Sequence, residues 1–218
     1  MPTVVEGSVP ADEFALYETL SSIPDVEFEC ERIVESGDGV VMPLLWGRGV
    51  EYDTVSEAFE DDPTVDNVSL LADYGDEWLV RMDWIESVQL VVHMLTNAQA
   101  TILEARGEGE EWSLRVMYPT RDELSMTHEF CESHGVTLDV SRIRDMEGNP
   151  SAQYGLTAEQ HEALKMAHDR GYFQVPRKVD LDDLAEELDI SHQALSERLR
   201  RAQASLIGDT LIVGTELN

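Results

Sequence analysis

The amino-acid sequence predicts an α+β chain that closes with an all-α segment, and three observations carry that prediction. Strand-like and helix-like stretches alternate through the first 146 residues, in an order that occurs twice. A stretch rich in turn formers, DMEGNPSAQYG, follows. Beyond it, apolar residues recur at helical spacing. At 218 residues the chain has room for one large domain or two small ones, each able to bury a core.

TVVEGSV reads as the first strand, and ADEFALYETLSSI as an amphipathic helix with Phe14, Leu16, Tyr17 and Leu20 near one face. Strand VEFECERIVE, a GDG turn, strand VVMPLLW, helix TVSEAFED and strand VDNVSLLADY come next. After Gly75-Asp76 the order returns: strand EWLVRMDW, helix ESVQLVVHMLTNA, strands ATILEARG and WSLRVMYP as a hairpin around GEGEE, helix TRDELSMTHEFCESHG, strand VTLDVSRI. Each half is βαββαβ, the order of a ferredoxin-like module. The expectation is two tandem ferredoxin-like modules, about 1–74 and 76–146, each an antiparallel sheet with two helices on one face. The repeat lies in element order rather than residue identity, and one continuous mixed sheet is the competing arrangement.

Charge sorts the functions. The chain holds 45 acidic and 15 basic residues, for a net charge of -30. A hydrophobic content of 42% argues against an acidic disordered protein. No apolar run approaches the length of a membrane span, and MPTVVEGSVPADEF lacks the basic start of a signal peptide, so a cytoplasmic protein is expected. Lys165 and Lys178 are the two lysines; the other basic residues are arginine. Acid excess with little lysine resembles the composition of proteins that work in molar salt. Cys30 and Cys131 form neither a disulfide framework nor a zinc motif and read as ordinary thiols.

Residues 1–150 show no catalytic constellation. His93, His128 and His134 fall among ordinary helix residues, and no metal-binding, nucleophile-elbow or phosphate-loop motif occurs. No cofactor and no enzymatic activity are expected. The pairs Asp61-Asp62 and Glu110-Glu111 read as solvated loop charge. Trp46, Trp78, Trp84 and Trp112 fall on strands and read as core, although one of them could line a groove for a small-molecule effector.

The charge divides at the turn-rich stretch. Residues 1–150 carry 33 acidic and 8 basic residues, whereas residues 151–218 carry 12 and 7. Two domains with different tasks are expected: 1–150 for regulation and dimerisation, 151–218 for contact with a partner. In the second, Thr157-Ala158-Glu159-Gln160 is a capping box that opens a helix of about 158–169, and Gly171 offers a left-handed end. Asp180 caps the next helix, with Leu181, Leu184, Ala185 and Leu188 on its inner stripe. After the turn Asp189-Ile190-Ser191, Ser191 caps a third helix backed by Leu195, Leu199, Ala202 and Leu206.

This is helix-turn-helix spacing, with Asp189 where glycine is usual, a position that asparagine and aspartate tolerate better than most. At 100° per residue the third helix turns His192, Gln193, Ser196, Glu197 and Arg200 outward. These are residues that read base edges: glutamine suits adenine, arginine suits guanine, and serine or histidine suits a base or a phosphate. Arg198 and Arg201 flank the stripe, and Arg177 and Lys178 precede the second helix, where phosphates run. Glu197 has two readings, as an acceptor from cytosine or as an i,i+4 partner of Arg201.

LTAEQHEAL, followed by GYFQVPRKVDLDDLAEELDISHQALSERLRRA, resembles the DNA-binding domain of the bacterio-opsin activator family of halophilic archaeal transcription regulators over roughly 155–207. The resemblance implies a trihelical module that binds promoter DNA through Ser191, His192, Gln193, Ser196, Arg200 and Arg201, behind an amino-terminal regulatory region. The expected protein is a DNA-binding regulator of transcription whose partner is double-stranded DNA and which acts as a homodimer. The alternative is a ligand sensor whose carboxyl-terminal helices bind another protein.

Overall fold

The computed structural model describes residues 1–35, 40–85, 89–146 and 154–210. The Gly37-Asp38-Gly39 turn and the Gly148, Asn149, Pro150 and Ser151 part of the expected linker lie outside the described residues. The chain divides into two compact units, Met1–Arg144 and Asp145–Asn218.

The first unit contains β1 (Thr3–Pro10), α1 (Tyr17–Ser22), β2 (Glu27–Glu35), β3 (Val41–Arg48), α2 (Tyr52–Asp61) and β4 (Val65–Asp73). It continues with β5 (Glu77–Trp84), α3 (Gln89–Val92), β6 (Thr101–Glu108), β7 (Glu111–Tyr118), α4 (Arg121–His134) and β8 (Asp139–Asp145). Period-two alternation sets which face each strand buries. On β3, Val41, Pro43, Leu45 and Gly47 are buried, whereas Met42, Leu44, Trp46 and Arg48 are partly exposed. The buried face meets the helices in one core that holds Trp78, Trp84 and Trp112 together with Phe14, Phe28 and Phe59. Gly47 is required there, because a Cβ would lie 2.2 Å from the Trp78 ring; Gly107 stands in the same relation to Trp112, at 2.9 Å. Trp46 is the exception among the tryptophans: it faces away from the core and stacks on Tyr74.

The strands form one eight-stranded sheet in the order β4-β5-β3-β2-β6-β7-β1-β8. This corrects the expectation of two self-contained sheets at 1–74 and 76–146. In a self-contained βαββαβ module the first strand lies between the third and the fourth. Here β5 occupies that place beside β4 and β3, and β1 lies between β7 and β8, so the two halves have exchanged their first strands. The short β4–β5 connection accounts for it. Gly75 takes φ 86°, and Tyr74 N–H donates to the Glu77 carbonyl at 2.8 Å, closing a hairpin that keeps β5 against β4. β1 then pairs antiparallel with β7 from Thr3↔Tyr118 to Pro10↔Glu111. The halves join through β2 and β6, from Glu27↔Glu108 to Glu29↔Arg106.

Two predicted helices are not single α-helices over their described residues. The single helix expected over ADEFALYETLSSI is a 3-10 turn at Ala11–Glu13 followed by α1, because Leu16 takes φ 60°. Burial of Phe14, Ala15 and Leu16, each 0% exposed, outweighs helix propensity there. Of the helix expected over ESVQLVVHMLTNA, residues 86–88 lie outside the described residues, and the rest is α3 continued by a π-helical turn at His93–Asn97. That turn directs His93 onto Phe130 of α4, ring centroids 4.2 Å apart, and Phe130 in turn stacks on His134 at 4.0 Å.

The second unit holds α5 (Ala158–Asp169), α6 (Leu181–Glu187) and α7 (His192–Thr210). Its core is Ala163 and Ala167 of α5, Leu184 and Ala185 of α6, and Leu195 and Leu199 of α7. The small alanines let the helices approach closely. Both predicted caps form as reciprocal boxes, Thr157 with Gln160 and Asp180 with Asp183.

Candidate nucleic-acid interface

The turn between α6 and α7 fixes how the last helix is presented. Asp189 N–H donates to the Glu186 carbonyl at 3.2 Å, and Ile190 N–H to the Ala185 carbonyl at 3.0 Å. This is the bond pattern of a Schellman end, which places its C′ residue in the left-handed region. Asp189 takes φ 52° there, as the sequence predicts for a non-glycine turn residue. Ile190 then packs against the core. Ser191 starts the next helix: its hydroxyl accepts from Ala194 N–H at 3.1 Å, and its carbonyl from Leu195 N–H at 3.0 Å. A left-handed residue, a plug and a cap, in that order, aim α7.

Leu195, Leu199 and Ala202 are buried, and Leu206 is half-buried. The opposite side of α7 is free of the unit's own core: His192, Gln193, Glu197, Arg200 and Arg201 are exposed, while Ser196 and Arg198 are half-buried at its margins. Glu197 links two of these groups. It accepts from Gln193 Nε2 at 3.3 Å and pairs with Arg201 at 3.5 Å, both at i,i+4 spacing. The tie to Arg201 is therefore the reading that the geometry realises. The Arg200 side chain has no hydrogen bond or ion pair among the described residues.

At the start of α7, His192 Nε2 lies 4.0 Å from Asp182 Oδ1, so the first turns of α6 and α7 sit side by side. Arg177 and Lys178 are exposed just ahead of α6. Arg177 stacks over the Tyr172 ring, 4.6 Å from its centroid, which orders a side chain that stays exposed. Arg170 and Glu187 clasp α5 to α6 with bonds of 2.6 and 3.1 Å. Reading the sequence missed the Asp182–His192 and Arg170–Glu187 pairs, because each joins different helices. The Gln193–Glu197 contact was missed too, although its i,i+4 spacing is the signal that finds it. The eight predicted residues thus fall into two groups, Ser191 to Arg201 along α7 and Arg177 with Lys178 before α6. The cap role of Ser191 engages its hydroxyl in the helix.

Three helices around a small core, with a four-residue turn presenting a polar, arginine-bearing helix face, define a helix-turn-helix protein. Residues 156–208 match the family described as "HTH DNA binding domain", and residues 4–155 match the family described as "GAF and HTH_10 associated domain". The second match covers well over half of the chain, and the chain belongs to that family, with a helix-turn-helix DNA-binding domain at its carboxyl-terminal end. It is 49% identical over 75 residues to a dimethyl sulfoxide reductase transcriptional activator of Haloferax volcanii. It is 42% identical over 57 residues to the transcriptional regulator NarO of the same organism. Over 223 residues, 94% of this chain, it is 25% identical to a bacterioopsin transcriptional activator of Halobacterium salinarum. These alignments span 34% and 26% of this chain in the first two cases, and 29%, 26% and 32% of the respective relatives. No described helix is long and apolar enough to cross a membrane.

Proposed function

We propose that the chain is a sequence-specific, DNA-binding regulator of transcription that inserts α7 into the major groove of double-stranded DNA. The observation that carries this reading is the two-sided character of α7: leucines and alanine anchor one side, and the other offers Gln193, Arg200 and the Glu197–Arg201 pair to solvent. Gln193 and Arg200 read base edges, with Ser196 beside them. His192, Arg177, Lys178 and Arg201 contact phosphate and set the register, and Ser191 contributes as the cap that orients the helix start. On contact with a phosphate, Arg201 exchanges its exposed tie to Glu197 for a second anion, a swap that costs little because exposed pairs contribute at most about 1 kcal/mol.

In this proposal residues 151–218 form the DNA-binding part and residues 1–150 the regulatory and dimerisation part. The first part's two halves are ferredoxin-like units that have traded first strands. A lone three-helix unit makes few contacts, so the functional species is a homodimer whose two recognition helices meet half-sites about one helical turn apart.

Mobility-shift titration in molar KCl with DNA from the chain's own promoter region tests the reading. Wild-type protein retards that fragment in preference to random DNA. Replacing Gln193 and Arg200 together with Ala removes contacts of about 1–3 kcal/mol each and weakens specific binding by about 10²-fold or more, with the circular-dichroism spectrum unchanged. Retention of specific binding by the folded double variant overturns the assignment of α7 as the reading helix.

A further inference from the structure

The side of the sheet away from the core carries the strand arginines, and their pairing is uneven. Arg48 holds Glu29 and Glu77, Arg106 reaches Glu29 at 3.5 Å, Arg115 holds Glu104 at 3.3 Å, and Arg142 and Arg144 converge on Glu6 at 3.1 and 3.9 Å. Arg32 of β2 and Arg81 of β5 differ: neither side chain makes a hydrogen bond or ion pair among the described residues. Lack of acids does not explain this, since residues 1–150 hold 33 of them.

Arg81 lines a groove of 530 Å³ with Met42, Asn67, Val68, Ser69 and Asp83. Register explains how these residues meet. Arg81 lies opposite Leu44 of β3 on one side and Ser69 of β4 on the other. Between Asp66 and Ser69, β4 carries a bulge in which Asn67 takes φ 52°. Bulges of this kind re-aim side chains. The Asn67 amide donates to Asp83 Oδ2 at 2.8 Å, so the carboxylate next to Arg81 along β5 is held by Asn67. What remains is a guanidinium on a shallow trough with Met42 and Val68 as apolar lining, the Ser69 hydroxyl opposite, and one carboxylate at the rim.

We propose that this groove is a binding site for a small organic monocarboxylate with a short apolar body. The carboxylate accepts two N–H bonds from the planar fork of Arg81, the geometry in which arginine and carboxylate pair best. The body covers Met42 and Val68. Asp83 selects against dianions such as phosphate by like-charge repulsion. The volume falls within the range of small-molecule sites, roughly 300–1,000 Å³. The proposal stands independently of the DNA contacts of α7.

Titration of ¹⁵N-labelled full-length protein in about 2 M KCl, where long-range charge effects are screened, tests it with hexanoate, hexan-1-ol and inorganic phosphate as probes. Hexanoate should shift the amide resonances of Ser69, Arg81 and Asp83 saturably. Arg81→Gln should weaken that binding by about tenfold or more, since a charged bidentate contact is lost. Asp83→Asn, which removes the neighbouring negative charge, should strengthen it severalfold, and Arg142→Gln should leave it unchanged. Four outcomes overturn the proposal: hexan-1-ol binding as well as hexanoate, phosphate binding more tightly, unchanged hexanoate affinity in folded Arg81→Gln, or no saturable shift with hexanoate at all.

Discussion

Asp62 is a carboxylate that the fold has taken out of water. It is 3% exposed and lies between two threonines. Its Oδ2 accepts from Thr19 N–H at 3.0 Å and Thr19 Oγ1–H at 2.8 Å, and its Oδ1 from Thr64 N–H at 3.0 Å and Thr64 Oγ1–H at 2.6 Å. Thr64 Oγ1 in turn accepts from Leu16 N–H at 2.9 Å, at the left-handed residue that breaks the first predicted helix. One side chain therefore fixes where α1 starts and how α2 leads into β4. The sequence reading placed Asp61-Asp62 in solvated loop charge; Asp61 is solvated, but as the last residue of α2, and Asp62 is buried. Asp62→Ala leaves buried donors without acceptors, at roughly 1–3 kcal/mol for each group that water cannot reach. The expected loss is about 2–4 kcal/mol, read as a fall of ~10 °C in the thermal midpoint. A midpoint unchanged within error would show that Asp62 is not the tie described. The cysteines follow the plainer expectation: burial pushes the Cys30 thiol up to about 12 and the Cys131 thiol up to about 11, so neither is a reactive thiolate near neutrality.

Elements were legible where local chemistry decides them. The βαββαβ order occurs twice as predicted, and the capping boxes at Thr157 and Asp180, the left-handed Gly171 and the Asp189 turn all lie where side-chain type alone puts them. Strand EWLVRMDW runs Glu77–Trp84, the predicted span. What local chemistry does not contain is partner choice. Alternation on β1 says which residues face the core and nothing about whether β3 or β7 lies alongside. The Gly75 hairpin settles that by claiming the place next to β4 for β5. The same limit hid the His93–Phe130–His134 stack and the Arg81 groove, both assembled from separate elements. Strand exchange carries its own test. A fragment of residues 1–74 lacks the strand that belongs between β3 and β4, and a fragment of 76–146 lacks the one between β7 and β8. Each alone would expose strand edges and apolar core, a state prone to association. The separate fragments should show little near-ultraviolet circular dichroism, and mixing them should restore the spectrum of 1–146. Cooperative unfolding of 1–74 by itself would contradict the exchanged sheet.

At the scale of the whole chain, the proposed function requires a polyanion of net charge -30 to take hold of another polyanion. The acids are not evenly spread: the first 150 residues carry net −25, with 33 acidic and 8 basic residues, and the remainder net −5, with 12 and 7. In the proposed complex, DNA approaching α7 would meet contact cations at short range and a large repulsive field at long range. Salt acts oppositely on the two. Raising salt weakens the contacts through counterion release, the effect that makes ordinary DNA-binding proteins lose affinity steeply. It also shortens the Debye length, from about 8 Å at physiological strength to about 3 Å at 1 M, which removes the repulsion of acids lying farther than contact range. The long-range term involves many more charges than the few arginines and lysines at the interface, so its relief offsets much of the contact loss. Specific affinity measured between about 0.2 M and 2 M KCl should therefore fall much less than the slope expected from counting phosphate contacts, or rise. Replacing surface acids of residues 1–150 that lie outside ion pairs by their amides should restore the steep decline, because it lowers the field while leaving α7 intact. A steep, uniform loss of affinity in the folded wild-type protein across that range would mean that the acidic body contributes nothing to DNA binding.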